Sequence, residues 1–366
     1  MKGMNATLPL TLPEDLVIEI LMRLPVRSIL RFKSVCKLWL SFVSDPEFTR
    51  SHFALDATPT HRLFVPVNHY QVDCTDIEAS LHDSSAKVVF NFPLPSPDDT
   101  YGCTVDIVGS CRGFILLITD GVFDFIIWNP STGLRKGISY VMDYAHVYDF
   151  DADRCGFGYD SSTDDYVIVN LTSERLCTVV HYFSLRTNSW SRILLGTVLY
   201  FPLSRRHGKH LNGALHWFVR PYDRHQPVII SFDVTERRLS EIPLPHNFTI
   251  KGQVYDLSVM GGCLCLCAAE MGYGAAIWTM KQYKVHSSWT NLFVPLYNQD
   301  YPFLPFFFYP ICFTKKGEIL GSCHKTLAKL NDKGELLEHH KHWHNMNRYI
   351  LLRSGVYRES LLSLPE

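Results

Sequence analysis

The stretch WNPSTGL, Trp128 to Leu134, decides how most of this chain is read. An apolar strand end runs into Asn, Pro, Ser, Thr and Gly. Each of these favours a turn for its own reason: preset φ, tolerance of φ > 0, or side-chain hydrogen bonds back to the chain. The same unit, a strand end, a polar turn and then Trp or Leu, returns as FSLRTNSW at Phe183, FDVTERRL at Phe232, YKVHSSW at Tyr283 and LNDKGEL at Leu330. The successive gaps are 55, 49, 51 and 47 residues, and a fainter copy, ASLHDSSAKVV, starts at Ala79, 49 residues before Trp128.

A second unit, a turn followed by an apolar strand, runs interleaved with the first. Its copies are CRGFILLI (Gly113), SSTDDYVIV (near Asp164), LNGALHWFV (Gly213), GGCLCLC (Gly262) and KKGEILGS (Gly317), with gaps of 51, 49, 49 and 55 residues. Two independent landmarks with one period mean one supersecondary unit repeated along the chain. A period near 50 with several strands per copy is the mark of a β-propeller blade. Residues 61–366 then make an all-β propeller of about six four-stranded blades, on that period. The terminal YRESLLSL (Tyr357 to Leu364) is expected to be the strand that closes the ring on the first blade.

Before residue 55 the patterns are helical. Pro13 opens a first helix, with Glu14 and Asp15 at its positive end and Leu16, Ile20, Leu21 and Leu24 at helical spacing. Pro25 ends it. A second short helix carries Val26, Ile29 and Leu30, and a third carries LRFKSVCKLWLSFVSD (Leu30 to Asp45). SDPEF then restarts a last turn with Ser44 or Asp45 as N-cap. On a helical wheel Val35, Cys36, Leu38, Trp39, Leu40, Phe42 and Val43 span roughly 200°, twice the stripe of a surface helix. So small a unit is marginal alone, and its apolar excess calls for a partner. A short linker at 54–60, reading DATPTHR through Arg62, divides this small all-α unit (1–53) from the propeller (61–366).

The totals narrow the function. The chain of 366 residues is 46% hydrophobic and 13% aromatic, enough for a sizeable core, and its net charge of −1 gives no field for nucleic acid. Eleven cysteines are scattered without a CxxC pair, the start MKGMNATLPLTLPEDL lacks the apolar run of a signal peptide, and no stretch matches a membrane span. An intracellular protein with reduced thiols is expected, cytoplasmic or nuclear, without membrane contact, and the sequons at Asn5, Asn170 and Asn247 then carry no meaning. No GxSxG elbow, Walker loop or HExxH motif occurs. CLCLC alternates Cys263, Cys265 and Cys267 on one strand face, which suits core packing better than a metal. EHHKHWH groups His339, His340, His342 and His344 without a second ligand cluster. No cofactor, metal or catalytic residue is expected. PFLPFFFYP (Pro302 to Pro310) reads as a core strand, with a substrate-contacting loop as the alternative.

Leu12 to Phe48 resembles the F-box. The carrying residues are Leu12-Pro13, Ile20-Leu21, Leu24-Pro25, Ile29-Leu30, Val35-Cys36-Lys37 and Trp39. The second region resembles the kelch-like F-box-associated domain of plant F-box proteins, through GSCRGFILL (Gly109 to Leu117), WNPSTG, GFGYDSSTDDYVIV (Gly156 to Val169), LNGALHWF (Leu211 to Phe218) and FDVTERRLSEIPLP (Phe232 to Pro245). These resemblances imply a non-catalytic substrate receptor. The F-box docks on a Skp-type adaptor, which joins a cullin and a RING protein. The propeller holds a protein substrate, and an E2 enzyme transfers ubiquitin to it. The expected adaptor contacts are Leu12, Pro13, Leu16, Ile20, Leu21, Leu24, Pro25, Leu30, Val35, Cys36 and Trp39. Arg23, Arg27, Arg31, Lys33 and Lys37, with no acid between Arg23 and Lys37, would steer toward an acidic adaptor. The substrate-binding residues are not legible. The alternatives are an F-box scaffold or inhibitor acting outside a ligase, and a propeller enzyme acting on glycans.

Overall fold

The computed structural model describes residues 12–55, 60–68, 71–94, 105–119, 124–140, 154–174, 177–204, 207–246, 248, 254–270, 274–294, 308–323, 326–341 and 354–365. Four helices come first: α1 (Glu14–Met22), α2 (Val26–Phe32), α3 (Lys37–Ser44) and α4 (Pro46–Leu55). Pro13 and Pro25 stand at the N-caps of α1 and α2, where a missing N–H costs nothing. Asp45 caps α4 by accepting the Glu47 and Phe48 backbone N–H groups at 2.7 and 2.9 Å.

Three expectations need correction here. Cys36 is extended (φ −158°, ψ 165°), so α3 begins at Lys37 and the wheel drawn from Val35 overran the helix. The SDPEF turn is a full ten-residue helix, and it carries Ala54 and Leu55 out of the expected linker. Arg62 belongs to the first strand rather than to the connection.

Twenty-five strands follow among the described residues. The first blade opens with β1 (His61–Pro66), β2 (Gln71–Asp76) and β3 (Lys87–Asn91). The second holds β4 (Val105–Cys111), β5 (Phe114–Thr119), β6 (Asp124–Trp128) and β7 (Arg135–Ser139). The third holds β8 (Cys155–Asp160), β9 (Asp165–Glu174), β10 (Cys177–Ser184) and β11 (Ser189–Gly196). In the fourth, β12 (Tyr200–Pro202) and β13 (Lys209–Leu211) share one edge of β14 (Ala214–Pro221), followed by β15 (Val228–Asp233) and β16 (Arg238–Ile242). The fifth holds β17 (Val254–Met260), β18 (Cys263–Glu270), β19 (Gly274–Met280) and β20 (Trp289–Val294). The sixth holds β21 (Phe308–Phe313), β22 (Ile319–Cys323), β23 (Thr326–Leu330) and β24 (Leu336–Lys341). Finally β25 (Gly355–Arg358) pairs antiparallel with β1 and completes the first blade in the order β25-β1-β2-β3. The fold is four helices and a six-bladed propeller closed by its C-terminal strand. That strand lies slightly earlier than expected: Glu359 to Leu364 leave the sheet as an extended tail.

Both repeat landmarks now have a structural meaning. The Gly113 series is the turn between the first and second strands of a blade. Arg112-Gly113, Asn212-Gly213 and Gly261-Gly262 hold φ > 0 at both central positions, the two-residue turn that matches strand twist. This series has five copies because in the first blade that link is not covalent: its inner strand arrives from the other end of the chain. The Trp128 series is the turn between the third and fourth strands. Its polar residue pins the backbone, since Asn129, Asp233 and Asn331 each accept two nearby N–H groups through Oδ1.

Apolar strands bury themselves between blades, one cluster per interface. Phe64, Trp128 and Tyr357 sit between the first and second blades, Phe114 and Phe157 between the second and third, and Trp217 and Tyr182 between the third and fourth. Phe218 and Leu266 fill the next interface, Cys267 and Phe308 the fifth, and Leu63 and Leu320 the sixth. Cys265 and Cys267 of CLCLC are buried core thiols, 3.5 Å from Thr279 Oγ1 and 3.3 Å from the Phe308 carbonyl. His342, His344 and residues 302–307 of the PFLPFFFYP stretch lie outside the described residues, and its last three residues open β21.

A buried histidine between the fourth and fifth blades gives the propeller a pH dependence. His216 is fully buried, with Nδ1 donating to the Lys209 carbonyl at 3.0 Å and Nε2 2.8 Å from the Tyr283 hydroxyl. Burial, aided by the Lys284 charge, pushes its pKa down from 6.5 to about 4. The unfolded chain then binds the extra proton first as pH falls. Stability is therefore present in full above pH 6.5 and declines toward pH 4, by about 3 kcal/mol at most from this residue. Urea unfolding across that range checks this, with His216→Gln expected to flatten the profile.

Candidate partner-binding surfaces

Antiparallel strands put the turns after the first and third strands of every blade at one end of the ring. The turns after the second and fourth strands lie at the other end. The helical unit occupies the first end. Its own core is Val17, Leu21, Val26, Ile29, Val43 and Phe48, with Ile18, Met22, Leu24, Leu30, Phe32, Trp39 and Phe42 packed around them. Trp39 sits edge-on to Phe32 at 5.1 Å, and His52 Nε2 bonds the Leu24 carbonyl at 2.9 Å.

The structure divides the expected adaptor residues into two groups. Leu12, Pro13, Leu16, Ile20, Pro25, Val35 and Cys36 are exposed. Leu21 is 1% exposed and offers nothing to a partner, which corrects its place in the set. Leu24, Leu30 and Trp39 are half-buried and serve the helical core at least in part. The logic is clearest on α1, which carries two apolar stripes at i, i+4. Val17 and Leu21 face inward, while Leu16 and Ile20 face out. Leu38 and Leu40 are also exposed on α3, so the apolar excess read from the wheel is real although its first two residues precede the helix. Among the five basic residues, Arg23 pairs with Glu19 at 2.8 Å and Arg27 with Glu359 at 2.9 Å. Arg31, Lys33 and Lys37 have no carboxylate partner among the described residues and keep the steering charge.

The C-terminal tail joins the helices to the ring. Arg27 of α2 and Arg62 of β1 both donate through Nε to the same oxygen of the buried Glu359, each at 2.9 Å. The Glu359 N–H reaches the Thr60 carbonyl at 3.0 Å. Leu361 enters the helical core and Leu362 the cluster between the second and third blades. Phe53 of α4 is flanked by Arg358 at 3.8 Å and Arg112 at 5.3 Å, and Arg112 also covers Tyr159 at 4.1 Å. Asn129, whose Oδ1 holds its own turn, donates through Nδ2 to the carbonyls of Ser360 and Leu362 at 3.2 and 3.1 Å. The stretch that revealed the repeat thus also seats the tail. Gly113 makes room for it: a Cβ there would stand 2.0 Å from the Ser360 Cβ, at φ +81°. Gly113→Ala is expected to cost about 2 kcal/mol or more and to make the helical unit more sensitive to limited proteolysis. Neither Glu359 nor the tail contact was visible from sequence, because no periodicity marks a single acid 332 residues from its arginine.

Comparison with known families agrees with this architecture. Residues 9–51 match the F-box domain, and residues 63–351 match the F-box associated beta propeller domain. The chain belongs to the F-box-associated β-propeller family. Similar members include the F-box/kelch-repeat protein At3g23880 of Arabidopsis thaliana, 28% identical over 298 residues, 78% of this chain and 79% of that one. The F-box protein CPR1 of the same plant is 28% identical over 313 residues, 77% and 72% of the two chains. Among solved structures, TolB from Acinetobacter baumannii aligns with a TM-score of 0.44 at 10% identity, over 82% of this chain and 68% of that one, too slight a likeness to carry an argument. No group of three metal-ligating side chains occurs among the described residues, and no described helix is long and apolar enough to cross a membrane.

Proposed function

We propose that this F-box protein is the substrate-recognition subunit of an SCF-type (Skp–cullin–F-box) E3 ubiquitin ligase. The observation that carries the reading is the outward stripe of Leu16 and Ile20, joined by exposed Leu12, Val35, Leu38 and Leu40 on a domain matched as an F-box. An apolar surface of this kind, rimmed by Arg31, Lys33 and Lys37, favours an acidic protein partner, and the proposed partner is a Skp-type adaptor. Through it the chain reaches a cullin and a RING protein. The kelch-like propeller carries the substrate, on the end of the ring away from the helices, and the chain itself does no chemistry. The complex works in the cytoplasm, the nucleus or both.

The test is co-purification of the full chain with a Skp-type adaptor, followed by reconstitution with cullin, RING protein and E2. A chain that captures no adaptor sinks the proposal. A chain that captures adaptor while no bound protein is ubiquitinated favours a scaffold or inhibitor instead.

A further inference from the structure

The end of the ring opposite the helices carries, among the described residues, an exposed cluster in which aromatic and cationic groups meet. Phe201 on β12 stands directly across from Arg220 on β14, and Tyr222 follows two residues later on the same side. The rings of Phe201 and Tyr222 lie 6.1 Å apart, tilted by 53°. Tyr222 is 74% exposed and Phe201 43%, yet neither hangs on a loose loop. The Tyr222 N–H donates to the Leu199 carbonyl at 2.8 Å, extending the β12–β14 ladder past buried Pro221. The position of the rings is set by backbone pairing, so little conformational freedom is lost when they are covered.

Charge separates this site from its surroundings. Arg224 next to it is neutralised, by Glu241 at 2.5 Å and Asp223 at 3.5 Å. Tyr200 donates to the same Glu241 at 3.0 Å. Arg220, directly across from Phe201, has no carboxylate partner among the described residues and is exposed. An arginine grouped with two accessible aromatic residues is the composition of a binding hot spot. Its missing complement is one carboxylate beside one apolar side chain. A nucleic acid would also stack on aromatic rings, but it needs a run of cations. Among the described residues here, a single free arginine is bordered by Asp223 and Glu241 on a chain of net charge −1.

We infer that Phe201, Arg220 and Tyr222 form a recognition surface for an acidic peptide segment, with Arg220 pairing the carboxylate and the two rings holding an adjacent aromatic or aliphatic side chain. This inference rests on the substrate-receptor reading above and names the chemistry of the segment received.

The test uses the full chain with its adaptor and three fluorescein-labelled peptide pools, randomised around a fixed central Glu-Phe, Gln-Phe or Lys-Phe pair. The wild-type chain is expected to bind the Glu-Phe pool about tenfold more tightly than the Gln-Phe pool, one charge-assisted contact's worth. Arg220→Glu should shift the preference to the Lys-Phe pool. Phe201→Ser and Tyr222→Ser should weaken binding to every pool, with unchanged melting temperatures. Absence of binding, equal binding of the three pools, a preference unchanged by Arg220→Glu, or tighter binding of oligouridylate overturns the inference. Adaptor capture is scored on the same preparations. Capture without peptide selectivity defeats this inference alone, whereas loss of capture by the wild-type chain defeats the reading beneath it.

Discussion

Glu359→Ala is expected to cost the folded chain about 3 kcal/mol, the low end of what breaking a buried ion pair costs. The carboxylate is 4% exposed and accepts from two guanidinium groups at once. Alanine leaves Arg62, 10% exposed, beside Asp76 at 3.6 Å, and leaves Arg27 without a carboxylate partner among the described residues. Arg27 is 40% exposed and recovers part of its hydration, which keeps the cost at the low end. For a chain of 366 residues the melting temperature should fall by about 4 °C. Arg27→Ala should cost only about 1 kcal/mol, because Glu359 keeps Arg62. Denaturant unfolding of the two variants and their double mutant gives the coupling directly. A loss below about 0.5 kcal/mol for Glu359→Ala would show that the pair does not hold the helices to the ring.

The second large effect is on binding. Leu16→Asp with Ile20→Asp should reduce adaptor capture by at least about a hundredfold, as expected when two apolar anchors of an interface become charged. Both side chains point away from the helical core, so unfolding of the propeller should stay within about 0.5 kcal/mol of wild type. Leu24 and Trp39 looked equally good as targets in the sequence, but both pack against the helical core, and a charge there damages the fold as well as the surface. Leu21→Asp serves as the contrast: it should unfold the helices outright. Undiminished capture by the Leu16 and Ile20 variant, measured by calorimetry against purified adaptor, would remove this stripe from the interface.

The fixed coupling of helices to ring has a mechanical consequence for the proposed role. A receptor that presents a substrate to a distant E2 gains from holding adaptor and substrate at a set separation, since a loose joint dilutes the effective concentration. Here the joint is made by the last residues of the chain. The strand that closes the propeller runs straight into the tail that seats the helices, so one terminal segment carries both ring closure and domain docking. Removing residues 355–366 would undo the two together.

Sequence alone determined what repeats and what is local. Turn chemistry recurs each time a blade is made, so Asn129, Asp233 and Asn331, and Gly113, Gly213 and Gly262, mark the hairpins at a readable period. Leu-Pro pairs mark helix starts because proline suits an N-terminus and spoils an interior. The apolar excess of α1 and α3 was legible for the same local reason. What only the tertiary structure decided are pairings that carry no period. Which of Leu16, Ile20, Leu21, Leu24 and Trp39 turn inward depends on where α4 and Leu361 pack. The five first-to-second turns have no sixth fellow because β25, reached only after the chain has gone round the ring, pairs with β1 without a covalent turn. Glu359 meets Arg27 and Arg62 only after that closure brings the two ends of the chain together. Periodic patterns report the surface each element must bury; the choice of neighbour is made by the packing of the whole ring.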